Sequence, residues 1–150
     1  MTAVIVNWNA RDHLLRCVAS LRADGVGSLV VVDNNSADGS ANAIAAADPD
    51  AIFLSTGSNL GFGAAVNRGV KDITTPFVLI LNPDTVVVPG TVAVLAAALA
   101  ADDTLGVVGP RVDRLDGTIY PSARRFPTLG VAIGHAFVGL LRPNNRFTRN

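Results

Sequence analysis

Cysteine is nearly absent from the 150 residues: Cys17 stands alone, so no disulfide scaffold can form. Its place within an amphipathic pattern (Leu14, Leu15, Val18, Leu21) marks it as a small buried hydrophobe. Charge is sparse, at 16% of residues, and balanced, with 12 basic against 12 acidic side chains. No broad field draws the chain to nucleic acid, and any nucleotide contact must be local. Aromatics make up only 5%. No apolar run reaches the roughly 20 residues needed to span a bilayer. Met1 leads straight into the strand-like Thr2 to Val6, without the basic start and cleavage site of a secretory signal, so a cytoplasmic location is expected. Internal repeats and low-complexity tracts are also missing.

What is present is alternation. Ala3 to Val6, Leu29 to Val32, Ile52 to Leu54 and Phe77 to Leu81 are short apolar, β-rich runs, and Val107 to Val108 begin a fifth. Helical patterns lie between them. Asn9-Ala-Arg-Asp12 has the form of a capping box opening the first helix, which Asp24-Gly25 ends. Ser36 or Asp38 is placed to cap an Ala-rich second helix. Gly61 to Val70 reads as a third helix, and Pro89 suits the first position of a fourth running through Leu99. Continuous apolar strands separated by helices specify a doubly wound α/β fold, its mostly parallel sheet covered by helices on both faces. After Gly109 the rhythm changes, and an Asp116-Gly117 turn between Arg111 to Val112 and Thr118 to Tyr120 predicts a β-hairpin. Leu129 to Leu141 reads as a buried helix or a segment lying on a membrane surface.

Ligands of open parallel sheets bind beyond the carboxyl ends of the strands. Here those ends are polar: Asn7-Trp8-Asn9, Asp33-Asn34-Asn35-Ser36, the approach to Asn59, and Asn82-Pro83-Asp84-Thr85. Each alone is an ordinary turn or cap, but together they bring Asn or Asp to one rim four times. Asp33 is suited to accept a hydrogen bond from a pyrimidine N–H, and the Asn amides offer donors and acceptors to a base or ribose. Asp84 is a hard oxygen ligand for Mg²⁺ or Mn²⁺ gripping a diphosphate, its direction stiffened by Pro83. Gly61 and Gly63 stand at a helix start, where backbone approaches a ligand closely. That segment imitates a dinucleotide fingerprint, but Val66 holds its last position and the third strand precedes it, which argues against NAD. Trp8 stacks near a nucleoside or packs in the core, and His13 and His135 read as satisfied surface or core residues.

Val32-Asp-Asn-Asn-Ser-Ala-Asp-Gly-Ser40, Asn59-Leu-Gly-Phe-Gly-Ala-Ala-Val-Asn67 and Leu81-Asn-Pro-Asp-Thr85 resemble, in order and spacing, the motifs of glycosyltransferase family 2. The Asn-Pro-Asp version is similar to bacterial rhamnosyltransferases of cell-wall and surface polysaccharide synthesis. The resemblance runs from Thr2 to Pro127. It implies a GT-A fold and inverting transfer of a sugar, from dTDP-rhamnose or a UDP-sugar, to a polyprenyl-linked or glycan acceptor, with peripheral association at the inner membrane face. It implies Asp33 at the base, Asn7 and Asn34 along the nucleoside, Asn59, Gly61, Gly63, Asn67 and Asn82 around the donor, and Asp84 on the metal. The family's usual Asp-x-Asp is here Asn82-Pro83-Asp84, one carboxylate fewer. Arg124-Arg125-Phe126-Pro127 is similar to a stretch of the same branch that would meet an anionic group. Residues 1–127 are then the donor-binding core and 128–150 the start of an acceptor-side region, truncated on its C-terminal side, with the catalytic base expected beyond Asn150. A non-catalytic nucleotide-sugar-binding module and an NAD-dependent oxidoreductase domain are the alternatives.

Overall fold

The computed structural model describes residues 1–114 and 116–122. They fall into two units divided at Gly109. The first holds four strands, β1 (Thr2–Asn7), β2 (Ser28–Asp33), β3 (Ile52–Ser55) and β4 (Val78–Leu81), alternating with four helices, α1 (Arg11–Ala23), α2 (Ser40–Ala47), α3 (Phe62–Val70) and α4 (Thr91–Ala101). The strands are all parallel, in the order β3-β2-β1-β4.

β1 lies in the middle and is buried along its whole length, which explains why it reads as an unbroken apolar run. Its residues alternate between two cores. Ala3 and Ile5, with Leu29 and Val31 of β2, face Leu14, Cys17, Val18 and Leu21 of α1, Ile44 of α2 and Val92 of α4. Val4 and Val6, with Val30 and Val32, face Ala65, Val66 and Val70 of α3. Helices therefore cover both faces, as the alternation predicts. Full burial of a leucine such as Leu14 or Leu21 stabilises by roughly 2 kcal/mol. Gly69 lets α3 lie close on the sheet, since a Cβ there would come within 2.7 Å of methyl carbons of both Val4 and Val32.

Three local expectations are corrected. Val107 to Val108 form no strand: the run is two residues between Gly106 and Gly109, pairs with nothing among the described residues, and leaves Val107 88% exposed. Pro89 lies outside α4, because Gly90 takes a left-handed φ of 86° and the helix starts at Thr91. The amides of Gly90 and Val92 are bound instead by the carboxylate of Asp24, at the end of α1. The capping box at α1 does not form: Ala10 is the N-cap, without a side-chain bond, and Asn9 has φ 49°. Asn9 Oδ1 accepts from Ala37 N–H at 2.8 Å, drawing the side chain toward the neighbouring loop.

In the second unit, β5 (Val112–Asp113) and β6 (Ile119–Tyr120) form the expected antiparallel hairpin. Gly117 supplies the positive φ, and Asp116 Oδ1 accepts from Thr118 N–H at 2.9 Å. The Thr118 hydroxyl and amide hold the Asp116 carboxyl below its ordinary range. Arg124 to Pro127, Leu129 to Leu141 with His135, and the expected boundary near residue 127 lie outside the described residues. No helix among the described residues is long and apolar enough to cross a membrane.

Candidate functional site

Parallel pairing puts the carboxyl ends of β3, β2, β1 and β4 on one rim, three strand spacings wide, or roughly 14 Å. At its centre Asn7 and Asp33 are register partners at the ends of adjacent strands. Asn7 is 0% and Asp33 5% exposed, so both side chains need partners. Asn7 Nδ2 donates to Asp33 Oδ1 at 2.8 Å, and the Ser36 hydroxyl donates to the same oxygen at 2.6 Å. The Ser36 amide donates to Asp33 Oδ2 at 2.9 Å. The other side of the Asn7 amide is less well served: its Oδ1 is buried without a donor among the described residues.

Two loops meet over this carboxylate. Ser36 Oγ accepts from Asn9 N–H at 2.8 Å and from Asn7 Nδ2 at 3.1 Å, and Asn34 N–H donates to the Asn7 carbonyl at 2.8 Å. Asp38, in the β2–α2 loop, serves two helix starts, accepting from Arg11 N–H at 2.8 Å and Ser40 N–H at 3.1 Å. Burial pushes the Asp38 carboxyl up, but the Ser40 hydroxyl and the Arg11 and Ser40 amides bring it net below its ordinary value. Asp38 thus does part of the capping expected at α2, while Ser36 turns to Asp33. Asn9 and Asn35 both hold left-handed backbone, which asparagine tolerates better than most residues.

Asn34 is buried and looks toward β3 and α3. Its Oδ1 accepts from Leu60 N–H at 3.4 Å and lies 3.4 Å from Thr56 Oγ1, whose one proton has a nearer acceptor in the Ser58 carbonyl at 2.6 Å, and its Nδ2 donates to the Gly61 carbonyl at 3.4 Å. Asn59 Oδ1 accepts from Gly61 N–H at 2.9 Å, and Gly61 takes φ 77° before α3 begins. Gly63 faces open space where any Cβ would stand, and Asn67 is exposed further along the same helix. Asn7, Asp33, Asn34, Asn59 and Gly61 are thus joined by hydrogen bonds through the two loops and the start of α3.

Asn82 and Asp84 follow β4, the strand beside β1, and both are exposed. Thr85 N–H donates to the Asn82 carbonyl at 3.3 Å, closing the turn, and the Cys17 thiol approaches the same oxygen at 3.9 Å. Burial, then the charge of Asp84, pushes that thiol up to about 12, which makes Cys17 an inert packing group. No cluster of three His, Cys, Asp or Glu that could hold a metal ion exists among the described residues. Trp8, 58% exposed, displays its indole at the rim and is not a core residue. His13 is an exposed helical residue bonded to Arg16 at 3.0 Å.

Sequence reasoning missed the hub at Ser36, which it read only as a helix cap. The signal is the spacing: a serine three residues after a strand-end aspartate can return both amide and hydroxyl to its carboxylate.

The family model described as Glycosyl transferase family 2 matches residues 2–145. The chain is 33% identical over 161 residues to the N-acetylglucosaminyl-diphospho-decaprenol L-rhamnosyltransferase of two Mycobacterium tuberculosis strains, covering 99% of this chain and 52% of that protein. It therefore spans about half the length of these curated relatives. Among solved structures, S. aureus TarS 1-349 matches with TM-score 0.60 and 20% identity over 67% of this chain and 32% of that one. The same protein in complex with UDP matches with TM-score 0.60 and 19% identity, over 78% and 43% respectively.

Proposed function

The chain belongs to glycosyltransferase family 2 with a GT-A fold, and from that premise we propose that it forms the donor site of an inverting rhamnosyltransferase. One observation carries the reading: a buried carboxylate, Asp33, fixed at the sheet rim with acceptor capacity still open on Oδ2. A carboxylate offers about four lone-pair sites, and the described residues fill three. The fourth suits the ring N–H of uracil or thymine. The TarS complex with UDP supports a pyrimidine diphosphate as the ligand class. The rhamnosyltransferase relative supports rhamnose as the sugar and a prenyl-diphosphate-linked glycan as the acceptor. Asn7 and Asn34 hold the loops around the nucleoside, Trp8 offers it an apolar plane, and Asn59, Gly61, Gly63 and Asn67 wall the donor on the α3 side. Asn82 closes the β4 side. The site of action is the cytoplasmic face of the membrane, where such an acceptor presents its glycan.

Asp84 fits a divalent ion: it is exposed, it follows the strand next to β1, and a single carboxylate suffices when phosphate oxygens complete the shell. Asp84 would hold Mg²⁺ or Mn²⁺, which when bound supplies positive charge to the diphosphate.

Calorimetric titration with dTDP-rhamnose and UDP-N-acetylglucosamine, with and without Mn²⁺, tests this reading. Mn²⁺ should tighten donor binding about tenfold, roughly 1.4 kcal/mol, in the native chain and not in Asp84→Asn. An equal enhancement in the variant would place the ion elsewhere. Tighter binding of UDP-N-acetylglucosamine than of dTDP-rhamnose would replace the sugar.

A further inference from the structure

We propose that Ser36 is a positioning residue that sets base selectivity by limiting Asp33 to a single free acceptor site. The proposal rests on the donor-site reading above, and its own observation is the saturation of one hydroxyl. A serine hydroxyl has one proton and two lone pairs. The Ser36 proton goes to Asp33 Oδ1 at 2.6 Å, and its lone pairs accept Asn9 N–H at 2.8 Å and Asn7 Nδ2 at 3.1 Å. Nothing remains with which Ser36 could bind a ligand. Its influence must pass through the groups it holds.

What it holds is the direction of the carboxylate. Asp33 Oδ1 receives two donors, Asn7 Nδ2 and Ser36 Oγ, and is full. Among the described residues Oδ2 receives only the Ser36 amide, at 2.9 Å, and keeps one lone pair. The same residue therefore saturates one oxygen with its hydroxyl and orients the other with its backbone. A base with a ring N–H, such as uracil or thymine, satisfies the remaining lone pair. Cytosine, which presents a ring acceptor at that position, meets repulsion between lone pairs. Selection against the wrong base works only while the carboxylate cannot turn to offer another arrangement.

Deleting the hydroxyl removes the proton from Oδ1 and both acceptors that tie Asn7 and Asn9 to the β2–α2 loop. The carboxylate then gains rotational freedom. The test is calorimetric titration of the chain with UDP and CDP, in native, Ser36→Ala and Ser36→Thr forms, with melting curves to establish folding. Ser36→Ala should lose about tenfold in UDP affinity with CDP little changed, so the UDP:CDP preference falls about tenfold. Ser36→Thr keeps a hydroxyl at the same place and should restore the preference to within about threefold of native. A general loss of structure would weaken both nucleotides together and leave their ratio intact. An unchanged ratio in folded Ser36→Ala overturns the proposal while leaving the donor-site reading in place. Failure of the native chain to bind either UDP or dTDP overturns both.

Discussion

Replacing Asp33 with asparagine is expected to weaken UDP and dTDP binding about a hundredfold, equivalent to roughly 2.7 kcal/mol. The change is nearly isosteric, so the loss comes from hydrogen-bond polarity. Asp33 is an acceptor toward Asn7 Nδ2, Ser36 Oγ and the Ser36 amide. An NH₂ group on either side of an asparagine there faces a protein donor or the base N–H. Set on the Oδ1 side, it opposes the Asn7 amide; set on the Oδ2 side, it opposes the Ser36 amide and the ligand at once. Because the site is buried, the mismatch also costs about 1–3 kcal/mol of folding stability. Titration calorimetry and a melting curve on the same sample separate the two effects. A folded Asp33→Asn with native affinity for both nucleotides would remove Asp33 from the site.

The second large effect lies at the opposite end of the sheet. Arg22, in the last turn of α1, donates to Asp48 through Nε at 2.7 Å and Nη2 at 2.9 Å. Its Nη1 donates to the carbonyls of Val26 at 2.9 Å and Gly27 at 2.6 Å. One guanidinium thus binds the end of α2 and the turn that feeds β2. The Arg22 and Asp48 side chains are only 29% and 10% exposed, which sets this pair apart from surface ion pairs worth little. Arg22→Met should lower stability by about 3 kcal/mol, or roughly 5–10 °C in melting temperature, since it leaves the Asp48 carboxylate partly buried and unpaired. Lysine should rescue little, because it cannot make the paired contact and reach two carbonyls together. Nucleotide affinity should stay native in Arg22→Met at temperatures where it is folded, as the pair is remote from the rim. A melting temperature within about 1 °C of native, below the roughly 2–4 °C that a 1 kcal/mol change gives at this size, would show the network to be dispensable.

The sequence was legible wherever a property is set by near neighbours in the chain. The strands of the first unit announce themselves because β1 and β2 are buried on both faces and admit almost nothing polar until Asn7 and Asp33. Those two positions are conspicuous for the same reason: a buried run that ends in a polar side chain has a task at that end. The Asp116-Gly117 turn and the end of α1 at Asp24-Gly25 depend on local backbone conformation and were equally readable.

What stayed hidden depends on residues far apart in sequence. Asn9 to Asp12 has the spacing of a local cap, yet the α1 amide at Arg11 is bound by Asp38 from the next loop. Pro89 suits a helix start, yet α4 begins two residues later, where Asp24 receives its amides. In both cases a tertiary partner outcompetes the local one, because a carboxylate held by another element loses less entropy on bonding. The pattern alone could not show that Ser36 faces Asp33 rather than a helix start, nor that Trp8 stands open at the rim. Val107 to Val108 failed as a strand because strand propensity needs a neighbour to pair with.

The central claim, a pyrimidine-diphosphate site at the β1–β2 rim, is tested most directly by thermal denaturation of the chain with UDP, dTDP, GDP or NAD, each with and without Mn²⁺. A ligand at about 100 times its dissociation constant adds roughly 2.7 kcal/mol, a rise of about 5–10 °C for a chain of this size. UDP and dTDP should each produce that rise, larger with Mn²⁺, while GDP and NAD leave the transition unmoved. A cooperative transition that no pyrimidine diphosphate shifts, or that GDP or NAD shifts as far, would contradict the account.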